Sequence, residues 1–257
     1  MTPEEQELAE KVAESCRTLG GLNITHESLG HVSQRLDDGT MLIRGKGTGQ
    51  IGLRYTSARD ILKVDFNADI IEGADDLQPP SESFIHIWMY KTRPEIQSVI
   101  HMHPEHAVLL TVTNTPILPI YGAFDGSGTR MAIDGIPTYP RSKTVTNDVM
   151  GEELAKFMGS SLVCLMRGHG VTVVGDSIES AALTAISFDR LTMMTYKANL
   201  LGTPMPIMEE EIEEIKNRSS DSDNAPRLRG SVGGRAGTLA AYRYYKTWAE
   251  DRVRSGA

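Results

Sequence analysis

His101 and His103 are one residue apart in the run VIHMHP, and in a β-strand that spacing turns both imidazoles to the same face. Two neutral imidazoles side by side make half of a facial ligand set for Zn²⁺, Fe²⁺, Mn²⁺ or Co²⁺. The same spacing also suits surface or hydrogen-bonded histidines. A third, His169, lies between Gly168 and Gly170 at an expected strand end, where the backbone can turn tightly and leave the ring bare. Taken together, the three predict a His₃ metal site with open coordination positions for substrate. Glu82 and His86 are four residues apart on an expected helix and share a face. They form either a surface ion pair or, beside a cation, a general acid/base at Glu82.

These side chains must be carried by a frame, and the pattern supplies one. Residues 3–19 read as an amphipathic helix with Pro3 near its start and Gly20-Gly21 as its stop. Gly30 to Leu36 and Met41 to Arg44 read as a hairpin around Asp38-Gly39. The run RGKGTGQIG that follows is a mobile Gly-rich loop and lacks phosphate-loop spacing. Ser81 caps a helix to about Thr92, Val99 to His103 is a strand, and Pro104 opens a helix to about Thr113. Residues 114–145 read as loops and short strands. Asn147 or Asp148 caps a helix to Met158, strands follow at Leu162 to Met166 and Val171 to Val174, and Ser177 starts a long helix to about Leu200. Beyond lie a charged helix (EEEIEEIKNR), a linker (SSDSDNAP) and an aromatic-bearing helix from Arg235 to Arg252. We divide the chain into a catalytic domain, 1–205, and a helical extension, 206–257, that packs on the same domain or on a neighbouring subunit.

Composition narrows the class. A chain of 257 residues buries roughly three-quarters of its unfolded surface and needs no staples. Cys16 and Cys164 are far apart in sequence and offer neither a disulfide framework nor a thiolate metal site, which predicts a reducing, cytoplasmic setting. A formal charge of −8 argues against a nucleic-acid surface. No apolar run approaches the ~20 residues that span a bilayer, and the acidic start is unlike a signal peptide. A few local Arg and Lys side chains still permit a small anionic substrate.

The stretches SESFIHIWMYKTRPEIQSVIHMHP and LVCLMRGHGVTVVGDSIESA, with GHVSQRL upstream, resemble the class II aldolase/adducin family in order and spacing over about residues 5 to 200. The resemblance implies an α/β fold, a three-layer α/β/α sandwich around a mostly antiparallel sheet. It implies a homotetramer with sites at subunit interfaces and one divalent metal ion per subunit (Zn, Mn, Fe or Co). His101, His103 and His169 map onto the metal ligands. Glu82 maps onto the acidic residue that binds the metal without substrate and shuttles protons during turnover.

Phosphate-contacting positions of the family are altered here. His31 stands where Asn is usual in the strand that also carries Arg35. Arg44-Gly45-Lys46-Gly47 replaces a Thr-Pro-Ser-Gly-like loop, and Pro80 replaces the first of two serines, leaving Ser81. We therefore assign substrate binding to His31, Arg35, Arg44, Lys46 and Ser81, in a cationic pocket suited to carboxylate. This favours decarboxylation of a hydroxylated, dihydroxyphthalate-like aromatic acid. Retro-aldol cleavage or epimerisation of a sugar phosphate, an iron-dependent oxygenase and a non-catalytic adducin-like module remain the other readings.

Overall fold

All five residues of the strand Ser98–Met102 are buried, which requires cover on both faces of the sheet that contains it. The computed structural model describes residues 1–49, 51–220 and 234–255. In chain order the first elements are α1 (Pro3–Gly21), β1 (His31–Arg35), β2 (Thr40–Arg44), β3 (Lys46–Gly47), β4 (Ile61–Asp65), β5 (Ile70–Glu72) and β6 (Leu77–Gln78). Next come α2 (Ser83–Thr92), β7 (Ser98–Met102), α3 (Glu105–Val112), α4 (Gly126–Asp134), β8 (Thr138–Tyr139) and α5 (Asp148–Met158). The chain ends in β9 (Val163–Met166), β10 (Gly170–Gly175), α6 (Ile178–Leu201), α7 (Glu209–Ser220) and α8 (Gly234–Ser255).

The main sheet has the order β5-β4-β2-β1-β7-β10-β9-β8, and among the described residues only the β8–β9 pairing is parallel. Side chains alternate between two cores, as the two-residue strand period requires. Val32, Leu42, Ile100, Met102, Val171 and Val173 face a layer built from α1, α3, α6 and α8. Met41, Ile43, Val99, Cys164 and Val174 face α2 and α5. The expected three-layer α/β/α sandwich with a mostly antiparallel sheet is the architecture observed.

Several local expectations need correction. Helix α1 includes Gly20 and Gly21 and ends with them, two residues past the expected Leu19. A Cβ on Gly20 would lie 2.4 Å from the Arg54 amide nitrogen, and one on Gly21 would lie 2.8 Å from Cβ of Ala249. These glycines serve close packing, and at a tightly packed site that need outweighs their weak helix propensity. Ser81 is exposed and caps nothing; α2 begins two residues later, with Glu82 at the capping position. Residues 114–145 contain α4, capped by the Asp125 carboxylate on the Gly128 amide. Strands β4 and β5 were not anticipated.

Other expectations are met closely. Asn147 and Ser177 cap their helices through side-chain oxygens. Gly39 turns the β1–β2 hairpin at φ +79°. The expected mobile Gly-rich loop is in part a strand instead: Lys46–Gly47 pairs with β6, while Gln50 lies outside the described residues. The charged helix is α7; residues 221–226 of the expected linker also lie outside the described residues. Helix α8 sits on the main body: Tyr242 and Ala249 are buried, Lys246 pairs with Glu14, and Arg190 donates to the Tyr245 hydroxyl. Both cysteines are buried and free. No helix among the described residues is long and apolar enough to cross a membrane.

Candidate metal centre

The centre is assembled from three places in the sheet. His101 lies in register with His31 on β1 and with Thr172 on β10, so β7 presents its imidazole from the middle of the sheet toward the α2 layer. His103 follows one residue beyond the strand end. His169 stands in the turn between β9 and β10, which Gly168 makes at φ +62°. Gly170 is required for a different reason. A Cβ there would lie 2.5 Å from the Met102 carbonyl oxygen, 2.8 Å from Cδ2 of His103 and 3.4 Å from Cε1 of His101. Only a residue without a side chain lets β10 pass so close to both rings.

Glu82 enters from the opposite layer. It precedes the first turn of α2, yet its carboxylate makes no capping bond and turns to the histidines instead. Oε2 lies 3.4 Å from Nε2 of His101, and Oε1 lies 3.4 Å from Nε2 of His169. The Val145 amide donates to Oε1 at 3.2 Å. Nε2 of His103 lies 2.8 Å from Nε2 of His101. One ligand atom from each of Glu82, His101, His103 and His169 falls within 4.8 Å of the others.

This donor set fits a divalent cation. Three imidazole nitrogens and one carboxylate oxygen suit Zn²⁺, Mn²⁺, Fe²⁺ or Co²⁺. Nδ1 of His101 and of His169 is buried with no hydrogen-bond partner. No scaffold hydrogen bond at Nδ1 fixes these rings, and their Nε2 atoms face the Glu82 carboxylate, with that of His103 beside His101. Metal ligation also needs neutral imidazoles. Burial, then the facing His101 and His169, pushes His103 down to about 3. Burial raises Glu82, but hydrogen bonds from His101 and His169 outweigh it and hold the carboxyl well below its usual range.

The five residues assigned to substrate binding are dispersed. His31 is buried beside the centre, its ring centroid 5.2 Å from that of His101. Lys46 is half-buried, and its charge acts on Glu82, His31 and His103. Arg44 is fully buried and donates to the carbonyls of Ser28 and Gly30, bracing the loop that enters β1. Arg35, at the far end of β1, donates to the carbonyls of Pro94 and Tyr90 and lies over the Tyr90 ring. Ser81 is exposed next to Glu82. Burial, then His86 and His101, holds His31 well below its ordinary value; backbone carbonyls engage both arginines without neutralising them, and Lys46 is the cation whose charge acts on Glu82.

Three contributors were not read from the sequence. Ser33 hydrogen-bonds His86 and was legible in principle, being two residues from His31 on the same strand face. The Thr111 hydroxyl accepts from the Gly168 amide at 2.9 Å, and Val145 holds Glu82. Both act on or through main-chain groups, so residue type gave no signal.

Comparison with known proteins agrees with this fold. The Class II Aldolase and Adducin N-terminal domain matches residues 10–196. A 3,4-dihydroxyphthalate decarboxylase of Terrabacter sp. (strain DBF63) is 37% identical over 74% of this chain and 81% of its own length. Another of that name, from Arthrobacter keyseri, is 34% identical over 91% of each chain. The crystal structure of an aldolase II superfamily protein from Pseudomonas syringae superposes with a TM-score of 0.79, at 21% identity, over 100% of this chain and 96% of that one. Fold, metal-fitting cluster and sequence likeness converge: this chain is an enzyme of the class II aldolase and adducin family.

Proposed function

We propose that the chain is a metal-dependent lyase that decarboxylates a hydroxylated aromatic carboxylate of the dihydroxyphthalate type. The observation that carries this reading is the convergence of Glu82, His101, His103 and His169 beside Lys46, where a cation replaces phosphate-binding hydroxyls. The two decarboxylase relatives at 37% and 34% identity support it.

His101, His103 and His169 would hold one divalent ion, Zn, Mn, Fe or Co, with Glu82 as the fourth ligand until substrate arrives. When bound, the ion supplies Lewis acidity to the substrate oxygens that it contacts. The chain's own groups do the rest. Lys46 attracts the anionic substrate and balances its carboxylate. The bond between ring and carboxylate breaks, its electron pair stays on the ring carbon, and carbon dioxide leaves. That carbon takes up one proton, which Glu82 delivers from a substrate hydroxyl or from water. Its tether to the Val145 amide keeps one oxygen in place while the other moves the proton. Arg35, Arg44 and Ser81 support the pocket from further out. The enzyme is cytoplasmic and works as a homotetramer on this reading, with 1–205 as the catalytic part.

The test is direct. Metal-loaded protein is given 3,4-dihydroxyphthalate, and carbon dioxide, the ring product and oxygen uptake are followed. One carbon dioxide per substrate with no oxygen consumed is expected. Turnover of fuculose 1-phosphate but of no aromatic acid would overturn the proposal, as would stoichiometric oxygen consumption. Light scattering after gel filtration checks the tetramer.

A further inference from the structure

Behind His31 runs a line of buried polar groups that the chemistry above does not use. Nδ1 of His31 lies 2.7 Å from Nε2 of His86. Nδ1 of His86 lies 2.6 Å from Oγ of Ser33, and that Oγ lies 2.7 Å from the Tyr90 hydroxyl. Four side chains from β1 and α2 are thus joined by three short links, and His31, Ser33, His86 and Tyr90 are each at most 1% exposed. Water has little access to the links between them, and a buried donor without an acceptor costs about 1–3 kcal/mol.

Counting protons fixes their direction. Neutral His31, His86, Ser33 and Tyr90 carry one mobile proton each, and three links take three of them. If the line ran from His31 toward Tyr90, the last proton would be left to the Gln97 carbonyl, 3.5 Å from the Tyr90 oxygen, a poor hydrogen bond. Run the other way, Tyr90 donates to Ser33, Ser33 to His86, and His86 through Nε2–H to Nδ1 of His31. Each of the three linking protons then has an acceptor within 2.7 Å, and the Tyr90 oxygen keeps a lone pair for the Val99 amide. The His31 proton remains on Nε2, the nitrogen not engaged by His86, in a ring that lies between His86 and His101.

We infer that Tyr90, Ser33 and His86 are positioning residues that fix His31 as a neutral donor with its proton on Nε2, and that this N–H binds an anionic oxygen of the substrate. The arrangement gives the site a cationic side chain, Lys46, and a directional uncharged donor, a pairing that selects an oxyanion by position as well as by charge. The choice of an aromatic acid as the source of that oxygen rests on the decarboxylase reading; the proton positions do not.

Neutron diffraction from deuterated crystals, metal-free and zinc-loaded, reads the positions. Deuterons on Nε2 of both His86 and His31 are expected in both forms, and a deuteron on Nδ1 of His31 overturns the inference. Tyr90→Phe should preserve this pattern, because the Ser33 proton still has His86 as its acceptor. Ser33→Ala should split the His31 deuteron between both nitrogens; an unchanged pattern there would show that the line does not set it. Binding of 3,4-dihydroxybenzoate to zinc-loaded protein reads the second half. His31→Leu should weaken it about 10- to 100-fold, the loss of a hydrogen bond to a charged group, and His31→Gln, which restores a neutral N–H, should return it to within about threefold. Equal losses in both variants would assign His31 a packing role and overturn the donor assignment. Failure of the protein to release carbon dioxide from any aromatic acid would sink the proposed function while leaving the deuteron map to stand or fall alone.

Discussion

The Gly168 amide donates to the Thr111 hydroxyl, and that hydroxyl in turn donates to the Val108 carbonyl, so α3 grips the turn that carries His169. Thr111→Val keeps the shape and removes both bonds, leaving a part-buried amide unpaired. Urea unfolding should show a loss of about 1–2 kcal/mol. Zinc titration should show affinity reduced about tenfold, since residues that orient ligands tune metal binding.

Gly170→Ala tests the close passage of β10 over the imidazoles. The added methyl meets the Met102 carbonyl oxygen and Cδ2 of His103 inside contact distance. Backbone and rings must separate, at a cost of about 1–3 kcal/mol. Elemental analysis of the folded variant should find substoichiometric metal, and full occupancy would show that the rings are free to move aside.

Removing a ligand and removing the proton carrier should differ. His103→Ala or His169→Ala should abolish stoichiometric metal and activity together, and chelator treatment of the parent protein should do the same reversibly. Glu82→Gln should retain metal while lowering kcat by about 10²–10⁴-fold. Loss of metal with Glu82→Gln would make that carboxylate a ligand first and a proton carrier second.

Acid should destabilise the metal-free protein through its buried histidines. Burial, then the neighbouring His101, pushes His86 down to about 3, whereas an unfolded histidine titrates at about 6.5. As pH falls below 6.5 the unfolded state gains a proton that the folded state refuses. Stability is therefore complete above 6.5 and declines by about 1.4 kcal/mol per pH unit for this group, levelling off near 3. Urea midpoints at pH 7.5, 6.5 and 5.5 should fall in that order, and His86→Gln should flatten the slope.

How far the sequence spoke can be traced residue by residue. The i, i+2 histidines were legible because strand geometry gives that spacing one meaning, and the His169 turn because its glycines are tied to φ and to clearance. Asn147 and Ser177 were legible as caps because a short polar side chain before an apolar period has few other uses. Gly20 and Gly21 were legible as a stop but not as close contacts, because packing and helix termination use the same residue. The partners of the arginines were not legible, because Arg35 and Arg44 tie strands to loops through carbonyls that no pattern announces.

The order of strands also bears on biosynthesis. β1 finds β2 at once through the hairpin, but its other edge waits for β7, and β7 waits in turn for β10. A nascent chain therefore exposes an unfinished sheet until Gly175 has left the ribosome, and pairing across such separations is slow. His169 is the last of the four donors to be made. The ion thus enters a nearly completed scaffold, and metal starvation should yield folded, vacant enzyme that later supply can activate.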